Sequence, residues 1–193
     1  MRLFGRVRTG RGCVLKGEHT LNRIFIVVDM QNDFITGTLG SDYAKKIVPR
    51  VAQKIEEARK RGDYIIYTQD THEESYLESF EGKHLPVSHC IRGSEGIQIY
   101  PSLTPKEGEI VLEKPTFGSV ELPELIKPYI NPDTVIELCG VCTDICVVSN
   151  ALLLRAHYPN NEIVVEAAAC AGVTPESHDA ALTTMRACQI SVE

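Results

Sequence analysis

Apolar and polar positions along the chain switch between two periods. Residues 24–28 form an unbroken apolar run rich in β-branched side chains, the pattern of a strand buried on both faces. Over 42–61 the apolar positions Ala44, Ile47, Val48, Val51, Ile55 and Ala58 recur at helical spacing. Ser41 is placed to cap that helix and Gly62 to end it. Pro49 lies inside the run, where it should kink the helix or mark its true start. Residues 64–68 read as a second strand. The polar stretch that follows, 70–108, is too long for a simple connection, and long loops in compact domains are usually functional. The alternation then resumes with a strand at 110–112, a short helix at 121–126, a strand at 134–138, a helix at 143–157 and a strand at 163–165. Pro175 opens a helix over 175–187, and residues 189–192 close as a last strand. Strands alternating with helices predict an α/β fold: one doubly wound, mostly parallel sheet with helices on both faces. In such folds ligands bind beyond the carboxyl ends of the strands.

Composition narrows the class without changing that picture. A chain of 193 residues is enough for one domain with a well-buried core. Hydrophobic and charged fractions of 43% and 24% are those of an ordinary globular protein, which argues against disorder. The net charge is −6, and the body of the chain carries no basic stripe, so nucleic acid is not an expected partner. No stretch approaches the roughly 20 apolar residues of a membrane helix, so no membrane partner is expected either. The first 23 residues differ, with Arg2, Arg6, Arg8, Arg11, Lys16 and Arg23 against Glu18 alone. They lack the apolar run of a secretory signal. A basic arm, an organelle-type presequence and a start codon placed too early are alternatives; the plainest reading is a leader, 1–22, outside a domain at 23–193. Seven cysteines, an odd number with no export signal before them, indicate reduced thiols and a cytoplasmic protein.

The chemistry falls at the strand ends. Asp29 ends the first strand, Asp70 follows the second, and Lys114 follows the strand at 110–112. Gly140-Val141-Cys142-Thr143-Asp144-Ile145-Cys146 follows the next strand and opens a helix. Four strand ends on one rim converge in space. Cys146 would lie in the first turn of its helix, where free N–H groups and positive potential favour thiolate and can hold an oxyanion. Asp29 is the candidate base, and Lys114 balances the charge. A lone cysteine is more often a small buried apolar residue. Cys139, within a strand, reads as core, Cys170 and Cys188 read as structural, and Cys13 falls in the leader. In the polar loop, Asp70-Thr71-His72 and the distant His89 offer a mixed oxygen and nitrogen donor set with positions open for water or substrate. Glu81 and His84 lie between them as further candidate ligands. Cys139-x-x-Cys142 invites a zinc or redox reading, but its first cysteine is in a strand and no second pair is present.

These segments resemble the isochorismatase-like hydrolases and, within them, the nicotinamidase/pyrazinamidase branch. Val27-Val28-Asp29-Met30-Gln31-Asn32-Asp33-Phe34 is similar to the family's first-strand signature, whose first Asp is catalytic. Thr68-Gln69-Asp70-Thr71-His72 resembles the metal-binding segment, and His89 with Gly93-Ser94 resembles the stretch holding the third ligand. Lys114-Pro115-Thr116-Phe117 resembles the catalytic-lysine segment, and residues 140–147 the nucleophile motif. The resemblance covers the chain from about residue 24 onward. Two departures stand out: Thr71 where an aromatic residue is common, and Phe117-Gly118-Ser119 in place of Ser-Ala-Phe.

The resemblance implies a catalytic triad of Asp29, Lys114 and Cys146, with a cis peptide before Cys142 and an oxyanion site formed by the N–H groups of Cys142 and Cys146. It implies one divalent transition metal on Asp70, His72 and His89, with Glu81 as a fourth ligand; zinc is expected first, with iron or manganese as alternatives. The reaction implied is nicotinamide to nicotinate and ammonia, a step of NAD metabolism, with Phe34 and Phe117 as walls for the ring. A related enzyme for another small amide, a non-catalytic binding protein on the same scaffold, and assembly into a homo-oligomer stay open at this point.

Overall fold

The computed structural model describes residues 23–193; the basic leader and Cys13 lie outside the described residues. Strand β1 (Arg23–Val28) is the central element, with Ile24 to Val28 completely buried. A short helix α1 (Asn32–Ile35) follows, then α2 (Asp42–Arg61). Strand β2 (Tyr64–Asp70) leads to the helix α3 (Phe80–His84), and β3 (Ile110–Lys114) to α4 (Leu122–Ile126). Strand β4 (Val135–Val141) precedes α5 (Val148–His157), and β5 (Glu162–Ala171) precedes α6 (Pro175–Ala187) and the two-residue β6 (Ser191–Val192).

All five strand pairings are parallel, and the order is β3-β2-β1-β4-β5-β6. The expected α/β sheet is therefore present. Helix α2 packs across β1, β2, β4 and β5, while α4, α5 and α6 pack side by side. Right-handed crossovers that run left from β1 and right from β4 put these two helix groups on opposite faces. The order reverses between β1 and β4, and that reversal opens a crevice at their carboxyl ends. Gly140 lets the two strands approach: its φ is +124°, and a Cβ there would lie 2.1 Å from the Val28 carbonyl oxygen.

Several elements differ from the sequence reading. Helix α2 runs unbroken through Pro49; the carbonyl that loses its donor is that of Lys45, an exposed residue. Its ends are as expected: Ser41 Oγ accepts from Ala44 N at 3.1 Å, and Gly62 closes it in the left-handed region. The segment before α5 is a wide π-helical turn over Thr143–Val147, closed by Val147 N donating to Cys142 O at 3.0 Å. Strand β5 is far longer than 163–165, and the last strand is shorter than 189–192, because Gln189 takes a positive φ of 61°. Cys139 and Cys170 are buried, but Cys188 is exposed where α6 ends and is not a packing residue. Among the described residues every cysteine is a free thiol, and no helix is long and apolar enough to cross a membrane.

Candidate active site

The end of β1 sets the geometry. Asp29 takes a left-handed backbone conformation, φ 50°, which Asp tolerates better than most residues. Its carboxylate is fully buried and held from two sides. Thr68 Oγ1, on β2, donates to Oδ1 at 2.6 Å. Lys114 Nζ, at the end of β3, lies 2.6 Å from Oδ2, as a charge contact outside directed hydrogen-bond angles. The same ammonium lies 3.3 Å from Asp70 Oδ1 and 3.7 Å from Cys146 Sγ. Groups at Asp29, Asp70 and Cys146, far apart in sequence, are thus joined through one lysine.

The charges are strongly perturbed. Burial raises the Asp29 carboxyl above its usual range, against the pull of Lys114. Burial also opposes ionisation of Asp70, but hydrogen bonds from His72 and His89, then the Lys114 charge, hold it below the usual range. Burial disfavours the Lys114 ammonium, yet Asp29, Cys146 and Asp70 more than offset this and raise its pKa. Burial drives the Cys146 thiol well above the ordinary value, and the neighbouring Asp29 charge pushes the same way. The pull of the helix terminus toward thiolate is therefore opposed by the depth of the site. Desolvation and the adjacent Asp29 charge both push the thiol up.

The peptide between Val141 and Cys142 is cis. Among the described residues the Cys142 N–H has no hydrogen-bond acceptor. A cavity of about 240 Å³ lies over this turn. Cys142 and Cys146 line it, while Asp29 and Lys114 sit behind the cysteine and are closed off from solvent. Phe34 and Phe117 form walls, and Asp70, Glu81 and His89 close one end.

That end is a candidate metal centre. Ligand atoms of Asp70, His72 and His89 all lie within 4.8 Å of one another. His72 Nε2 is 3.0 Å and His89 Nε2 3.5 Å from Asp70 Oδ2. The long loop brings them together by pairing with itself: His72 N donates to Cys90 O, and Arg92 N to His72 O. The Asp33 carboxylate holds the return strand by accepting from Cys90 N at 2.7 Å. His89 Nδ1 faces the Val87 carbonyl at 2.8 Å, a contact that orients the ring with Nε2 toward the cluster. The Tyr76 ring packs against both imidazoles, 4.7 and 4.9 Å from their ring centres, which are themselves 4.9 Å apart. One carboxylate and two such imidazoles suit a divalent transition ion. Glu81 Oε1 lies 3.9 and 3.8 Å from the two Nε2 atoms, within reach as a further ligand. His84 is not brought in: it is exposed, and its Nδ1 bonds back to Phe80 O in its own helix.

The sequence reading did not pick out Thr68, Tyr76 or Asn150, or the Ala171-Gly172-Val173 wall of the cavity. Thr68 lay inside a quoted motif; the others carry no local signal.

An open parallel sheet with a buried acid–lysine–cysteine cluster at its switch point defines a class of hydrolase, and the comparisons agree. The Isochorismatase domain matches residues 23–193, so the chain belongs to the isochorismatase family. It is similar to a nicotinamidase of Schizosaccharomyces pombe, 29% identical over 86% of this chain and 90% of that protein. It is equally similar, at 29% over 88% and 90%, to an Arabidopsis thaliana protein called a probable inactive nicotinamidase. Among solved structures, the pyrazinamidase of Pyrococcus horikoshii in complex with zinc superposes with a TM-score of 0.79 at 26% identity, over 89% of this chain and 98% of that one.

Proposed function

We propose that this protein is a metal-dependent cysteine amidohydrolase that converts nicotinamide to nicotinate and ammonia. One observation carries the reading. Asp29 and Lys114 meet behind Cys146, which lines a cavity shared with Asp70, His89 and Glu81. An apolar cavity of about 150 Å³ takes up benzene, so about 240 Å³ suits a six-membered ring bearing a carboxamide.

Asp29 accepts the Cys146 proton as sulfur attacks the amide carbon. Its raised pKa makes it a stronger base than an ordinary carboxylate, matched to a reluctant thiol. Lys114 keeps the buried charge balanced throughout. The N–H groups of Cys142 and Cys146 stabilise the oxyanion. Asp29 returns the proton to the departing nitrogen, and ammonia leaves a thioester on Cys146. Asp29 then deprotonates water, which attacks the thioester carbon and releases the carboxylate product; the thiol regains its proton. Splitting the hydrolysis in two lowers each barrier. Asp70, His72 and His89, with Glu81 beside them, would hold the ion, which supplies a Lewis-acid anchor for the ring nitrogen. Phe34 and Phe117 confine the ring.

One relative is called inactive, so turnover has to be measured. Ammonia release from nicotinamide, with and without chelator, tests the reading. Release that falls on chelation and returns with added zinc, iron or manganese is expected. No release with any of these metals would overturn it.

A further inference from the structure

We infer that Asn150 is a positioning residue that fixes the Phe117 wall relative to the Cys146 sulfur. The inference concerns the loop after β3, where this chain reads Phe117-Gly118-Ser119. Asn150 is fully buried on α5, one turn after the nucleophile. Its side chain spends its bonds on two segments. Nδ2 donates to Cys146 O at 2.8 Å and to Phe117 O at 3.2 Å, and Oδ1 accepts from Ser119 N at 2.9 Å. One amide therefore grips the loop on both sides of Gly118 and the nucleophile's own carbonyl.

A second feature points the same way. Gly118 lies flat on α5: a Cβ there would come within 2.7 Å of Leu153 Cδ1 and 3.1 Å of Ser149 Cβ. The loop is seated on the helix that directly follows the nucleophile's turn, with no space for a side chain between them. Phe117 is 46% exposed and lines the cavity, so packing covers only part of it. Its position comes from its backbone, and the backbone from Asn150. The consequence is specificity. When the wall is held, a flat ring is confined above the sulfur; when it is released, the mouth widens and bulkier electrophiles reach Cys146.

The test does not depend on turnover, although the role given to Phe117 rests on the proposed function. The rate of Cys146 alkylation is measured by peptide mass spectrometry with two probes, small iodoacetamide and bulky N-phenylmaleimide. The ratio of bulky to small is compared in wild type, Asn150→Ala, Phe117→Ala and the double variant. Asn150→Ala is expected to raise the ratio about tenfold, because small misplacements near a reacting centre have effects of that order or larger. Phe117→Ala should match it, and the double variant should go no further, since the two act through one wall. Gly118→Ala lifts the same loop without touching Asn150 and should move the ratio in the same direction, which covers the case in which Asn150→Ala does not fold. An unchanged ratio in the folded variants, or additive effects in the double variant, would overturn the inference. If wild type releases no ammonia from nicotinamide, the functional reading fails while the alkylation ratio still decides this one.

Discussion

Two buried ion clusters sit on the same sheet, and they behave differently. At the carboxyl ends, Lys114 faces Asp29, Asp70 and the Cys146 thiol, and two imidazoles flank Asp70. Beneath α2, Lys54 bridges Glu137 at 2.7 Å and Glu166 at 2.5 Å, with Arg23, Arg61 and Arg50 within 3.0 to 3.7 Å of the same carboxylates. The second cluster is rich in cations, and it ties α2 to β4 and β5. The first has one lysine for two carboxylates and a thiol, and it opens through Cys146 on a cavity. Burial alone does not mark chemistry. Neighbouring carboxyls displaced in opposite directions beside a cavity, Asp29 up by burial and Asp70 down by its histidine hydrogen bonds, do.

The comparison breaks if the clusters respond alike. Cys146→Ala should abolish ammonia release and leave the melting temperature near wild type, whereas Cys142→Ala, which keeps its backbone N–H, should retain much of the activity. Labelling that lands on Cys142, with Cys146→Ala still active, would reverse the assignment. Asp29→Asn keeps the shape but cannot take the thiol proton, and a loss of about 10²–10⁴-fold in kcat is expected; activity within a factor of two of wild type would remove Asp29 from the role. In wild type the acid limb of kcat/KM should lie above 3.8, the ordinary value for such a carboxyl, because the active form needs Asp29 ionised and its pKa is raised.

His72→Ala should lower metal content and raise KM about 10- to 100-fold, the size of effect seen when a metal site loses support. Elemental analysis is the direct check: less than about a tenth of an equivalent of any transition metal, with turnover unchanged by chelation, would rule the site out. The smallest effect on turnover belongs to the other cluster. Lys54→Met strands two buried carboxylates and should destabilise the fold by about 3–5 kcal/mol with kcat per folded molecule unchanged. The Lys54 pKa is raised when folded: burial opposes the charge, but Glu137 and Glu166 outweigh it. Its contribution is therefore complete below the ordinary 10.5 and is lost as pH rises through the higher folded value. A melting curve series from neutral to alkaline pH shows whether the loss falls there.

Much of this could be read before folding. The continuous run at 24–28, the Ser41 cap and the Gly62 stop are local signals, and each element formed where its signal stood. The strand-end positions of Asp29, Asp70 and Lys114 were equally legible, because a parallel α/β pattern puts all carboxyl ends on one rim. The acid–base state of Cys146 was not. It depends on how deeply the sulfur is buried and on which charge lies beside it, and Asp29 is more than a hundred residues away in the chain.

The amino-acid sequence by itself determined the alternation of strands and helices, the residue types at the strand ends and the segments that resemble a known family. Tertiary structure alone decided the rest. Glu81 and His84 stand three residues apart in one short helix, yet Glu81 reaches the histidine cluster and His84 turns back to its own backbone. Glu137 sits in a strand pattern that reads as core, and its partner Lys54 lies on a distant helix. Asn150 resembles any polar helix residue until its bonds to Phe117, Ser119 and Cys146 are seen. Periodicity along a chain encodes which face is buried. It carries no record of which group, brought in from another element, will stand opposite.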